Sequence, residues 1–193
     1  MAHLYLVRHG RAAAGWDTDV DPGLDDVGLQ QAADVAERLA ERFSGNVREV
    51  HVVSSPLRRC QETAVPFAAL VGKSATVEPR VSEIPSPIGV ALTERTDWLR
   101  RVMQGTWSQV FATDGQAYRE FHSALAQWAR STTHDTVVFS HFIAINALIG
   151  LALDDDRVLV RSLDNASITT LQVGTDGGLA LIEGGDEADT LVR

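Results

Sequence analysis

Two of the six histidines stand where the chain leaves a run of strand-forming residues, and an arginine directly precedes the first of them. His9 directly follows Arg8, His141 directly follows Ser140, and Arg59 comes shortly after a third such run. Histidine beside arginine suits a phosphoryl group, because guanidinium groups bind phosphate oxygens in pairs and stay charged at neutral pH. A neutral imidazole nitrogen can attack phosphorus and hold the phosphoryl group covalently. These residues therefore predict phosphoryl chemistry.

The same residues do not indicate a metal site. The sequence has no His-x-x-x-His or Cys-x-x-Cys spacing, and zinc sites are recognised by such spacings. Cys60 is the only cysteine, so an intrachain disulfide is impossible. A cysteine-dependent phosphatase needs an arginine six residues further on, where this chain has Pro66. We expect no metal ion and no organic cofactor.

Strand and helix signals alternate along the chain, which is typical of a layered α/β domain. The predicted strands are 3–8, 48–54, 76–80 and 136–140, with two antiparallel strands within 167–183; the predicted helices are 25–43, 57–71, 92–104, 115–131 and 142–152. Carboxyl ends of parallel strands share one edge of a sheet, and ligands bind in the crevice there. The helix that begins near 142 should add backbone donors for an anion at that edge.

Length and charge limit the class of protein. A chain of 193 residues suits one domain. Its net charge of -9 argues against nucleic acid as a partner, because nucleic-acid binding requires a basic surface. No apolar run approaches the roughly 18–20 residues that span a bilayer, and the N-terminus lacks the pattern of a signal peptide. We expect a cytoplasmic protein with no membrane contact.

The motif Leu-Val-Arg-His-Gly at 6–10 resembles the signature of the histidine phosphatase superfamily, the phosphoglycerate mutase-like proteins. Further segments resemble other family motifs in the same order: 24–32, 54–64, 139–141 and 165–167. The ordered set covers nearly the whole chain and is far more specific than any single motif. The resemblance implies one domain over 1–193, with a three-layer α/β/α sandwich and a mostly parallel central sheet. A cap-like helical insertion is expected at about 84–131 and a loose tail at 184–193.

The resemblance also implies roles for individual residues. His9 would accept the phosphoryl group, and Arg8 and Arg59 would bind the phosphate. His141 would contact the phosphoryl group and stabilise its charge. Glu83 stands in the loop after the third strand, where the family has its proton donor.

The chain departs from the family pattern at three points. Arg11 follows Gly10 where glutamate is common, and it either binds phosphate or is merely exposed. Phe142 replaces a frequent glycine and is expected to narrow the pocket. Glu83 lacks the usual tryptophan and glycine neighbours. Four other carboxylates are therefore rival acids, and a nearby tryptophan could line the pocket: Asp17, Asp19, Asp21, Glu94 and Trp16.

The predicted reaction is hydrolysis of a small phosphate monoester through a phosphohistidine at His9. One alternative is a phosphoglycerate mutase-type phosphotransferase that returns the phosphoryl group to its substrate. The other is a non-catalytic protein that binds a phosphorylated ligand. The sequence does not indicate which ester is used, and a homodimer is left open.

Overall fold

In the part of the chain that the structure describes, six strands form one sheet and six α-helices flank it. The computed structural model describes residues 1–15, 18–43, 49–113 and 115–188. The strands are β1 (Ala2–Arg8), β2 (His51–Ser54), β3 (Thr76–Val77), β4 (Thr136–Ser140), β5 (Ile168–Val173) and β6 (Leu179–Gly184). The helices are α1 (Asp26–Arg42), α2 (Arg58–Leu70), α3 (Arg95–Met103), α4 (Trp107–Thr113), α5 (Gln116–Arg130) and α6 (Phe142–Leu153).

The sheet has the strand order β3-β2-β4-β1-β5-β6. The first four of these strands are parallel, β5 pairs antiparallel with β1, and β6 pairs antiparallel with β5. In the register of β1 with β4, Arg8 lies opposite Ser140. His9 continues this pairing, because its N–H donates to the carbonyl oxygen of Ser140 over 3.0 Å. The register therefore brings His9 and His141 out of the sheet side by side.

Alternate residues of the central strands face two separate cores, which places helices on both faces of the sheet. Leu4, Leu6 and Val138 belong to the core that includes α3 to α6. Val7 and Phe139 belong to the core that includes α1 and α2. Each large apolar side chain buried in this way stabilises the fold by about 1.5–3 kcal/mol. The predicted α/β/α sandwich with a mostly parallel sheet is confirmed.

Helix α6 is buried on nearly all sides, since every residue from Phe142 to Gly150 is buried. A helix that is apolar all round lies inside a protein or a membrane. Here the surrounding residues are those of the larger core. Within the described ranges, no helix is long and apolar enough to cross a membrane.

The region between Glu83 and β4 contains three helices where the sequence predicted two. A 3₁₀ turn at Leu92–Glu94 leads into α3, and α4 was missed. The start of α4 carries a reciprocal cap that the sequence displays: Thr106 Oγ1 accepts from the N–H of Gln109, and Gln109 Oε1 accepts from the N–H of Thr106. A threonine followed three residues later by glutamine is a capping box.

Two other predicted boundaries were wrong. The strand predicted at 76–80 ends at Val77, because Pro79 has no N–H for the sheet and begins a 3₁₀ turn. The predicted loose tail is anchored over 184–188: the N–H of Ala188 donates to Ser162 O over 2.9 Å, and the N–H of Asp164 donates to Asp186 O over 2.9 Å. The rest of that tail lies outside the described residues.

The loop after β1 packs tightly against the first turn of α1. A Cβ on Gly10 would lie 2.6 Å from the carbonyl oxygen of Gly28. A Cβ on Gly28 would overlap the carbonyl oxygen of Arg11. Asp25 caps α1, since its Oδ1 accepts from the N–H of Gly28 over 2.8 Å. Both glycines are therefore required by close backbone approach, and α1 fixes the residues that follow His9.

We expect Gly28→Ala to destabilise the fold by about 1–3 kcal/mol, because the new methyl group must push the loop after His9 away from α1. Urea unfolding monitored by circular dichroism measures this change. Leu29→Ala is the control: Leu29 is 52% exposed, and its truncation should change the free energy of unfolding by less than about 0.5 kcal/mol. Equal stabilities of the two variants would contradict the proposed close contact.

Candidate active site

Four side chains meet at the carboxyl edge of the sheet, and all four are buried. Arg8 ends β1 and His9 directly follows it, His141 directly follows β4, and Arg59 lies in the first turn of α2. Their exposed fractions are 6%, 8%, 0% and 5% in that order. The two imidazole centroids are 5.3 Å apart. The structure thus brings together four of the six residues singled out in the sequence.

His9 is held in one tautomer by its neighbours. Its Nδ1 lies 2.8 Å from the carbonyl oxygen of Gly10; a carbonyl only accepts, so Nδ1 carries the proton. Nε2 therefore has a lone pair, which accepts from Arg59 Nε over 3.2 Å. Burial first, and then the charges of Arg59 and Arg8, lower the pKa of His9 well below its ordinary value. The ring is neutral, and its Nε2 has the lone pair that a nucleophile needs.

The backbone around His9 is secured by two side chains that the sequence interpretation did not identify. Thr63 Oγ1 accepts from the N–H of Gly10 over 3.0 Å. Asn165 Nδ2 donates to the carbonyl oxygen of His9 over 2.9 Å. Asn165 lies in a segment noted for its family resemblance, and Thr63 lies one helical turn after Arg59. The sequence shows that Thr63 and Asn165 lie in motif segments, but it does not show which backbone groups their side chains bind.

The two buried guanidinium groups each keep an unused donor. Arg8 Nη1 donates to the carbonyl oxygen of Leu163 over 2.5 Å, and Arg59 Nη2 donates to His141 Nδ1 over 3.1 Å. Arg8 Nε and Arg59 Nη1 have no hydrogen-bond partner among the described residues. Burial lowers the pKa of Arg8 to about 10, so it stays protonated at neutral pH. Two cations with unused buried donors form a place for an anion.

His141 is also held in one tautomer. A guanidinium group only donates, so Nδ1 of His141 accepts from Arg59 and its Nε2 carries the proton. Nε2 lies 2.7 Å from Ser55 Oγ and 3.3 Å from Cys60 Sγ. Burial, Arg59 and His9 lower the pKa of His141 well below its ordinary value. Burial raises the pKa of Cys60, so this thiol is an unreactive neighbour of the ring.

Glu83 lies at the N-terminus of α6. Its Oε1 accepts from the N–H of Ile84 over 3.0 Å, and its Oε2 accepts from the N–H of Ile143 over 3.4 Å. Burial raises the pKa of Glu83, although these hydrogen bonds and the charges of Arg59 and Arg8 oppose the shift. A carboxyl group with a raised pKa can donate a proton closer to neutral pH. The first turn of α6 was predicted to supply donors to an anion, yet here the Ile143 N–H donates to Glu83.

Arg11 lies apart from this group. Its Nε donates to Asp25 Oδ2 over 2.6 Å, and 45% of its side chain is exposed. Phe142 is 2% exposed, and its ring lies under the guanidinium group of Arg8 at 4.8 Å. The bulky residue expected to narrow the pocket is therefore a core residue that supports Arg8. Trp16 and Asp17 lie outside the described residues.

Of the three rival carboxylates within the described ranges, Asp21 is the one that lies beside the site. Its Oδ1 accepts from the N–H of Arg58 over 2.8 Å and lies 4.0 Å from Arg59 Nη1. Asp19 supports this loop by accepting from the N–H of Asp21 over 3.0 Å, and Glu94 is exposed in the 3₁₀ turn before α3. Among the residues that the structure describes, no three or more His, Cys, Asp and Glu side chains are grouped to hold a metal ion.

The sheet order, the two helical layers and the carboxyl-edge site are those of a phosphoglycerate mutase-like α/β fold. The family model of the histidine phosphatase superfamily (branch 1) matches residues 4–182. The chain therefore belongs to the histidine phosphatase superfamily.

Comparisons with individual proteins agree with this family. A curated relative from Yersinia pestis, named probable phosphoglycerate mutase GpmB, is 32% identical over 116 residues, which cover 55% of this chain and 52% of the relative. The chain thus spans about half the length of the curated relatives it matches.

Two solved structures resemble almost the whole chain. A mycobacterial glucosyl-3-phosphoglycerate phosphatase has a TM-score of 0.72 at 22% identity, covering 97% of this chain and 100% of its own. A phosphoserine phosphatase from Entamoeba histolytica, solved with 3-phosphoglyceric acid, has a TM-score of 0.73 at 22% identity, covering 98% of each chain. At such identities the likeness shows the fold.

We expect Asp21→Asn to tighten the binding of inorganic phosphate about fivefold at low salt, because it removes a negative charge near Arg59, and a unit charge at about 4 Å contributes roughly 1 kcal/mol in water. Asparagine still accepts from the N–H of Arg58, so the start of α2 is preserved. Calorimetric titration with phosphate measures the change. The control is Asp176→Asn in the exposed turn between β5 and β6; equal affinities for both variants would contradict the prediction.

Proposed function

We propose that this protein hydrolyses small phosphate monoesters through a phosphohistidine formed at Nε2 of His9. One observation carries the proposal: a neutral imidazole, whose Nε2 lone pair accepts only from Arg59 Nε among the described residues, lies against two buried guanidinium groups that each keep an unpaired donor within that part of the chain. This arrangement fits a phosphoryl group, since the arginines neutralise its oxygens while the imidazole attacks phosphorus.

In the proposed complex the phosphoryl oxygens accept from Arg8 Nε and Arg59 Nη1. Arg59 Nε also turns from His9 to the phosphate, which frees the Nε2 lone pair. Nε2 then forms a bond to phosphorus as the bond from phosphorus to the ester oxygen breaks. Glu83, in its protonated form, gives its proton to the departing alcohol oxygen. The arginines need no metal ion or organic cofactor to stabilise the charge.

His141 changes its charge state in this scheme. Burial and Arg59 lower the pKa of His141 and disfavour its imidazolium form, so the ring is neutral before a phosphoryl group binds. A phosphate dianion within contact of the ring raises its pKa, since opposite charges favour the charged form. Protonation at Nδ1 would then give the phosphoryl group one more donor. Ser55 keeps the ring oriented through Nε2.

The second step returns the enzyme to its starting state. Water attacks phosphorus opposite His9, and the carboxylate of Glu83 takes a proton from that water. The bond between phosphorus and Nε2 breaks, the electron pair returns to Nε2, and inorganic phosphate leaves. A mutase-type transfer is the second candidate, favoured by the relative named probable phosphoglycerate mutase GpmB. In a mutase the intermediate would pass its phosphoryl group to an alcohol and release no phosphate.

His9→Ala should lower phosphate release from p-nitrophenyl phosphate by about a thousandfold or more, because the nucleophile is lost. Wild type should also carry acid-labile phosphate after rapid quenching in base, and the variant should carry none. His134→Ala removes an exposed histidine and should behave as wild type. Isomer exchange of phosphoglycerate without phosphate release would favour the mutase. Phosphate binding without turnover of any ester would favour a binding protein.

Glu83→Gln should lower hydrolysis of alkyl phosphates by about 10²–10⁴-fold, because the alkoxide then leaves without a proton. With p-nitrophenyl phosphate the leaving group needs no proton, so the variant should give a burst of one nitrophenolate per site and then turn over slowly. For alkyl esters, wild-type kcat/KM should fall as pH rises through the raised pKa of Glu83. It should persist in acid below the ordinary histidine pKa, because the pKa of His9 is lowered.

The matched control for Glu83→Gln is Glu94→Gln, which changes an exposed rival carboxylate. It should retain wild-type rates and the wild-type pH profile. If Glu94→Gln loses activity and Glu83→Gln does not, the proton donor has been assigned to the wrong carboxylate.

A further inference from the structure

A groove lies between the loop that follows Glu83 and helices α3, α4 and α5. Its volume is about 660 Å³, within the range of roughly 300–1,000 Å³ typical of small-molecule sites. Its lining includes Trp98 and Val102 of α3, Val110 of α4 and Tyr118 of α5. We call this the cap groove. No role in the phosphoryl chemistry accounts for it.

The cap groove begins close to the proton donor. Ser86, one of its lining residues, is three residues after Glu83, and three residues span at most about 10 Å even when fully extended. In the proposed reaction Glu83 protonates the departing alcohol oxygen. The groove therefore borders the loop that begins at Glu83. In the proposed reaction Glu83 faces the side of the phosphoryl group opposite His9, from which the alcohol leaves in the first step and water attacks in the second.

The chemistry of the groove differs from that of the phosphoryl site. Trp98 and Tyr118 pack with their ring centroids 5.6 Å apart and give the groove an aromatic wall. Ile88 is 98% exposed at the loop side of the groove and adds apolar surface that a bound molecule would cover. Arg101 also lines the groove and provides a positive charge at its edge. Such a site takes an apolar molecule that carries one anionic group.

We propose that the cap groove binds the alcohol portion of the substrate, and that the preferred ester has an aromatic or extended apolar alcohol ending in a carboxylate. The carboxylate would pair with Arg101, while the apolar part lies on Trp98 and Tyr118. This inference rests on the proposed function, because it takes Glu83 as the group that faces the leaving alcohol. It names the substrate class that the strand-end residues leave undetermined.

The test compares three esters that share the phosphate: glycerol phosphate, 4-phenylbutyl phosphate and the same phenylbutyl ester with a para-carboxylate. Wild type should prefer the phenylbutyl ester to glycerol phosphate in kcat/KM by about tenfold or more, because an aromatic ring is buried. The carboxylate should improve kcat/KM by about a further threefold, and Arg101→Ala should remove only this second gain.

A blocking variant separates the groove from the catalytic residues. Ala117 is exposed and lines the groove, so Ala117→Trp should fill it and raise KM for both phenylbutyl esters about tenfold, with glycerol phosphate unaffected. Ala112→Trp, on the exposed part of α4 outside the lining, is the control and should behave as wild type.

Binding of the matching non-hydrolysable phosphonates, measured by calorimetry, keeps the two proposals distinguishable. If no ester is hydrolysed, the proposed function fails, but the groove proposal is still decided by whether the phenylbutyl phosphonates bind more tightly than the glycerol analogue. Equal affinities for all three phosphonates, or equal effects of Ala117→Trp and Ala112→Trp, would overturn the groove proposal.

Discussion

The structure depends on holding two arginine cations in the interior beside two neutral histidines. A buried charge is costly unless it is paired, and among the residues that the structure describes neither Arg8 nor Arg59 has a carboxylate within hydrogen-bonding distance. Their donors instead meet Leu163 O and the two imidazoles, and the ring of Phe142 lies under Arg8. These contacts hold the guanidinium groups in position. The negative charges that act on the two groups are not hydrogen-bonded to them: Glu83 and Asp164 for Arg8, and Asp21, 4.0 Å from Nη1, for Arg59. In the proposed complex a phosphate dianion would pair directly with both guanidinium groups, even though the chain as a whole has a net charge of -9.

The same burial has opposite effects on the nucleophile and on the acid. Burial away from water disfavours the charged form of any group, so the pKa of His9 falls and the pKa of Glu83 rises. The cations reinforce the first shift and limit the second. The proposed first step needs a neutral imidazole and a protonated carboxyl group at the same pH, and one environment provides both. Hydrogen bonds from the N–H of Ile84 and from the N–H of Ile143 in the first turn of α6 hold the carboxyl group of Glu83 in place.

The sequence was sufficient to predict the elements with strong periodicity and the residues at the ends of strands. The sheet, α1, α2 and α6 lie where apolar runs predict them, and the register of β1 with β4 explains why His9 and His141 meet. Side-chain partners were not predictable, because they depend on contacts between distant segments. Thr63 and Asn165 hold the His9 loop, and Arg11 turns to Asp25, yet no spacing rule indicates these pairs. Helix α4 was missed for a different reason, because its capping box is a local pattern that the sequence alone displays.

The two halves of the proposed site rest on different kinds of structure. The phosphoryl half is fixed by backbone pairing, since Arg8 lies opposite Ser140 in the sheet and α2 begins four residues after β2. The leaving-group half is fixed by side-chain packing of α3 to α5 and by a few backbone contacts, such as the Trp107 N–H to Asp156 O at 2.8 Å. Sheet register shifts only in steps that turn every side chain to the opposite face, whereas packed helices tolerate substitutions of similar volume. Substitutions in α3 to α5 would therefore alter the proposed alcohol site while the residues proposed to bind the phosphoryl group remain in place.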